Sequence, residues 1–150
     1  MKPAVLNSCA YGILLIVCSL CVIGVKIEAQ SPVGVWKQIS HKKDTVTSHV
    51  KIYEKDGKLF GKVLRLTPAA EVRVCDRCDG DRAGEPVEGM QILWDMEPEE
   101  GQWVNGKILA PKTGREYHCI IKMKDEDTLE VRGHLGIPVL GKSQEWIRLE

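Results

Sequence analysis

Two cysteines stand three positions apart in the stretch "CDRCDGD", residues 75–81, where residue types and spacing suit several kinds of chemistry. Zinc takes about four nitrogen or sulfur ligands. The chain offers no second Cys-x-x-Cys pair and no closely spaced histidines, because His41, His49, His118 and His134 are scattered. Calcium is suggested by Asp76, Asp79, Gly80 and Asp81. An EF-hand loop wants glycine in sixth place and glutamate in twelfth. Counted from Asp76, the glycine comes one place early and Val87 occupies the final ligand position. A redox dithiol needs its first cysteine at a helix start beside a cation. Arg77 supplies the cation, but Asp76 and Asp79 oppose a thiolate, and "DGDRAGEP" is a poor helix start. The favoured reading is a staple: Cys75 to Cys78, or either of them to Cys119, in a loop that neither metal nor cofactor occupies.

Other clusters are weaker. Glu97, Glu99 and Glu100 could imitate a catalytic carboxylate pair, but their Pro-Glu-Glu-Gly setting reads as an exposed turn. Gly133, Gly136 and Gly141 precede no helix that could cradle a phosphate. Arg132 and His134 share a strand face with Glu130, which either meets solvent or anchors a polar group in a ligand cavity. No Gly-x-Ser-x-Gly element is present. No catalytic residue is assigned, and a non-enzymatic protein is expected.

What positions these residues depends on compartment and scaffold. Residues 1–29 open with Lys2, continue without charge to Lys26, and end in a small residue, Ala29. This is the layout of a secretory signal peptide, with a retained membrane anchor as the alternative. Export to the periplasm or beyond is expected, where disulfides persist. Cys9, Cys18 and Cys21 fall in this leader, leaving three cysteines in the remainder. Residues 30–150 form one domain of comfortable size. Without the leader, two of the 21 basic residues and one of the 21 acids are lost, for a net charge of about minus one. Nucleic acid, which demands clustered cations, is not an expected partner.

The hydrophobic pattern consists of short runs separated by turn residues. Strands are predicted over 34–39, 49–55, 58–66, 91–96, 102–110, 115–124, 128–135 and 143–150. Asp56-Gly57 is a hairpin signal, Asn105-Gly106 marks a turn or a bulge, and "PKTG" suits a type I turn closed by a left-handed glycine. The fourth run is expected to stop at Glu97-Pro98. Some eight short strands make an antiparallel barrel or sandwich; number alone does not separate them. Gly34 and Trp36 open the first strand, and Arg148 lies in the last. In a barrel those strands are neighbours, so the guanidinium could cover the indole, worth about 0.5–2 kcal/mol.

A Gly-x-Trp start with a basic partner near the C-terminus is similar to lipocalin-like proteins. Taken in order, "GVW", "IYEKDGKLFGKV", "CDRCDGD", "GMQILWDM", "GKILAPKTGREYHC" and "VRGHLGIPVLGKSQEWIRL" resemble the bacterial domain-of-unknown-function family 2147. The resemblance implies an exported domain folded as a single up-and-down antiparallel β-barrel of about eight strands, and it brings no activity with it. A small, partly apolar ligand in the lumen is the leading expectation. Trp94, Tyr117, Arg132, His134 and Trp146 are the candidate wall residues, and Gly34, Trp36 and Arg148 the closing group. An envelope interaction module with a filled barrel and a thiol oxidoreductase using Cys75 and Cys78 are the rivals. A protein partner is not specified, and membrane contact is expected only through an uncleaved leader.

Overall fold

The chain reverses direction where its sequence supplies residues that accept positive φ. Asp56 and Gly57 adopt φ of 53° and 75°, and Glu100 and Gly101 adopt 46° and 81°. Both pairs match the twist of a two-residue hairpin. A computed structural model describes residues 30–40, 42 and 44–150; the expected leader lies outside the described residues. Its strands are β1 (Gly34–Ser40), β2 (Thr45–Lys55), β3 (Lys58–Leu66), β4 (Gln91–Glu99), β5 (Gln102–Ala110), β6 (Arg115–Met123), β7 (Thr128–His134) and β8 (Lys142–Arg148). Each pairs antiparallel with the next, and β1 pairs with β8, so the sheet closes as an up-and-down barrel. The sandwich alternative is thereby excluded.

Closure follows the pairing Trp36↔Arg148 and Gln38↔Trp146. Side chains alternate between faces of a strand, so Trp36 and Gln38 on β1, and Gln144 and Trp146 on β8, point inward. Trp36, Val50, Ile52, Leu59, Leu93, Ile121, Leu129 and Trp146 are fully buried and pack into one core.

Two local departures from the sequence pattern have physical causes. β4 runs through Pro98, which pairs with Trp103, instead of stopping before it. Past Met96, β3 no longer pairs with β4, so the ladder on that side loses nothing from a missing N–H. Asp95 and Asn105 take φ of 58° and 62°, opening irregularities in β4 and β5. Gly106 beside them is obligatory: a Cβ there would lie 2.5 Å from the Trp94 carbonyl oxygen.

Between β3 and β4, residues 67–90 leave the sheet and fold back on the barrel. The Val74↔Pro86 bridge and bonds Cys75 N–H to Glu85 O (2.9 Å) and Val87 N–H to Arg73 O (2.9 Å) give this excursion its own small hairpin. Cys75 (0% exposed) and Val87 (4%) join the core cluster.

Candidate functional site

The two ends of the barrel differ. At the end formed by the N-terminus and the β2–β3, β4–β5 and β6–β7 turns, Arg148 lies 4.2 Å from the centre of the Trp36 ring. Its guanidinium donates to the carbonyls of Glu126 (2.7 Å), Val33 (3.1 Å) and Ser31 (2.9 Å). The Trp36 indole N–H donates to Pro32 O at 2.8 Å. Gly34 allows this approach, since a Cβ at its φ of 148° would stand 2.6 Å from Arg148 Nη1. This end is plugged.

The other end, bounded by the β1–β2, β3–β4, β5–β6 and β7–β8 connections, holds a cavity of about 820 Å³. Val63, Ile108, Tyr117 and Val131 give it an apolar wall, with Ile92 and Leu109 alongside. Gln38, Ser48 and Gln144 form a polar patch across β2, β1 and β8. Ser48 Oγ–H donates to Gln38 Oε1 (2.8 Å), and Gln38 Nε2–H donates to Gln144 Oε1 (3.2 Å). Lys42, Lys112 and Lys142 stand on the rim, where Lys112 pairs with Glu71 at 2.6 Å. Gly133 on β7 keeps the lumen wide: its missing side chain faces Tyr117 Cβ and Ile108 Cγ2.

Of the wall residues named from sequence, Tyr117 lines the cavity, and His134 only borders it, since its ring shares the outer face of β7 with Arg132. Trp146 does not line it; it is fully buried in the core, with no acceptor for its indole Nε1 among the described residues. Trp94 lies elsewhere, half-buried on the outer face with the Arg82 guanidinium 5.2 Å from its ring centre. Arg132 also faces outward and holds the β7–β8 connection, donating to Pro138 O (2.8 Å), Val139 O (2.9 Å) and Ser143 Oγ (3.0 Å). His134 stacks on His118 with centroids 5.5 Å apart. Its Nδ1 is 3.1 Å from Gly136 O, and since a carbonyl only accepts, that contact places a proton on Nδ1. The connection so held exposes Leu135, Ile137, Val139 and Leu140, by 61–81%.

Sequence reasoning missed Gln38, Ser48, Gln144 and Lys142. The signal was present for three of them: if Trp36 and Trp146 face inward, so do the residues two and four positions toward the mouth. Glutamine and lysine in an antiparallel strand read instead as the solvated face.

Cys75 and Cys78 are within disulfide distance, with Cα atoms 5.4 Å apart, and Cys119 is a buried free thiol. Burial pushes the Cys119 thiol up to about 12. The Cys75–Cys78 loop is fastened to the barrel. Its Arg77 carbonyl approaches Gly114 so closely that a Cβ there, at φ 69°, would overlap it at 1.7 Å. Arg82 forms an ion pair with Glu116 on β6, and Lys107 adds a second at 3.5 Å. The Arg82 hydrogen bond is the largest influence holding the Glu116 carboxyl below its ordinary value.

A small antiparallel barrel with an arginine-covered tryptophan at one end and an open cavity at the other is a lipocalin-like fold. The fold matches a solved structure of HP1028 from the human pathogen Helicobacter pylori, a protein described as belonging to the lipocalin family, with a TM-score of 0.69. The match covers 80% of this chain and 84% of that one, at 16% identity, and is a likeness of fold. More particularly, residues 34–148 match the family "Uncharacterized protein conserved in bacteria (DUF2147)", and the chain belongs to that family. No curated protein matches the sequence.

Proposed function

We propose that this chain is an exported, non-enzymatic barrel that takes up a small, partly apolar molecule through its open end. The observation that carries the reading is the cavity of about 820 Å³, mostly apolar with a few polar groups gathered on one side. Binding pockets for small molecules have this composition and size. Export rests on the leader pattern of residues 1–29. Tyr117 contributes to the wall and His134 borders it; Trp146 supports it from below. The burial of Cys75 and Cys78, 0% and 6% exposed, supports a structural staple over thiol exchange.

Titration with a neutral fluorescent probe, N-phenyl-1-naphthylamine, tests the reading. Saturable uptake at one site per chain is expected, and its absence would refute the proposal. Native mass spectrometry of protein recovered from its own compartment reports both a missing leader and any retained molecule. A second reading, a module that docks on an envelope protein, is favoured by the exposed Leu135, Ile137, Val139 and Leu140. It predicts protein capture that a Val139→Asp substitution abolishes while probe uptake is kept.

A further inference from the structure

The cavity's polar groups are unevenly matched. Three successive inward positions of β8, Lys142, Gln144 and Trp146, pair with Gly133, Val131 and Leu129 of β7. All three end in N–H donors. Gln144 Oε1 is taken by Gln38, whose own oxygen is taken by Ser48, so the relay runs one way and ends on Gln144 Nε2. That amide nitrogen has no acceptor among the described residues, and Lys142 forms no ion pair among them. Beneath the cavity, the Trp146 indole Nε1 is buried without a partner among the described residues. Donors thus outnumber acceptors along one strand. The apolar side chains across the cavity, Val63, Ile108 and Tyr117, offer only a single phenol, and Val131 beside Gln144 offers no acceptor.

Resting on the ligand-binding reading above, we infer that the occupant is a facially amphipathic anion. It is a flat apolar body with oxygen acceptors along one edge, lying edge-on to β8 with its negative charge near Lys142. Successive inward residues of a strand are about 7 Å apart, so a ligand must offer acceptors at more than one depth to satisfy both Gln144 and Lys142. A straight-chain amphiphile carries its oxygens at one end. It would satisfy one of the two donors and lay methylenes against the other, which is penalised because a donor cut off from water loses its hydrogen bonds.

The test uses the full chain and competition against N-phenyl-1-naphthylamine, with cholate as the facially polar anion and laurate as the linear one. Cholate is expected to displace the probe at about tenfold lower concentration than laurate. Gln144→Leu should weaken cholate about tenfold, the value of a hydrogen bond to a charged or strongly polar group, and leave laurate no weaker, because its methylenes then meet no donor. Gln144→Glu keeps the acceptor for Gln38 but removes the donor and adds like charge, so it should weaken cholate at least as much if the leucine variant folds poorly. Equal or better displacement by laurate, or cholate binding indifferent to both substitutions, overturns the inference while the cavity stands. Failure of the unsubstituted protein to bind the neutral probe overturns the ligand-binding reading together with it.

Discussion

Replacing Gly133 with leucine separates a ligand site from a packing gap, because stability and binding should move in opposite directions. Gly133 is not in the left-handed region, and a Cβ there would meet Tyr117 Cβ at 3.4 Å and Ile108 Cγ2 at 3.7 Å, both ordinary contacts. The first carbon therefore fits, and the rest of the side chain projects into the cavity. Burying a leucine is worth about 1.5–3 kcal/mol, and fixing its rotamer costs about 0.5–1 kcal/mol. Removing a strand glycine adds about 0.5–1 kcal/mol. A cavity open at one end leaves part of the leucine wet, so the net stabilisation expected is about 1 kcal/mol. Meanwhile the new side chain occupies the volume between the apolar wall and β8, and affinity for N-phenyl-1-naphthylamine should fall at least about tenfold. Urea unfolding followed by tryptophan fluorescence and probe titration measure the two quantities. A variant destabilised by more than about 1 kcal/mol that still binds the probe normally would refute the placement of Gly133 on the lumen wall.

Three further outcomes test other parts of the structure. Arg148→Met removes three carbonyl contacts and the cation over Trp36; with the exposed bonds discounted for solvent screening, the loss should be about 2–4 kcal/mol in urea unfolding. Arg148→Lys keeps the charge but not the reach to three carbonyls, and should recover less than half; full recovery would show that charge alone matters. Glu116, held below its ordinary value of 4.5 chiefly by Arg82, stabilises the fold fully above that value and loses the contribution as pH falls through its lowered one. An NMR titration should show Glu116 returning upward in Arg82→Gln, and an unmoved titration would dissolve the link. Cys119, with its thiol raised to about 12 by burial, should resist iodoacetamide at pH 8 and label on unfolding, read by peptide mass mapping; labelling of the folded protein would contradict its burial.

Much of the fold was legible because the turns were written plainly. Asp56-Gly57 and the Pro-Lys-Thr-Gly turn supply left-handed residues where strands reverse, and Gly114 takes φ 69° as that turn requires. The Trp36–Arg148 contact could be anticipated because it needs only closure of the sheet. The wall was harder. Alternation in a strand gives two faces but not their sense, so Trp94 and Arg132 could not be told from lumen residues. On that outer face Trp94 meets Arg82 of the excursion of residues 67–90, a segment with no periodicity to reveal which outer face it covers. Gln38 and Gln144 were hidden for the opposite reason, polar residues in strands being ordinarily solvated.

The plugged end and the polar edge of the cavity are consequences of one register. Trp36 and Gln38 lie two apart on β1, and Trp146 and Gln144 two apart on β8. A strand slip of one residue exchanges its two faces entirely. A slip of either strand would take that strand's indole out of the core and its glutamine out of the lumen together. The Arg148 contacts that hold Ser31, Val33 and Glu126 thus act at a distance on the mouth: they fix which side chains of β1 and β8 face inward. With the core committed to both tryptophans, the chain has no freedom to hide the amides, and the donors on β8 are left facing whatever enters.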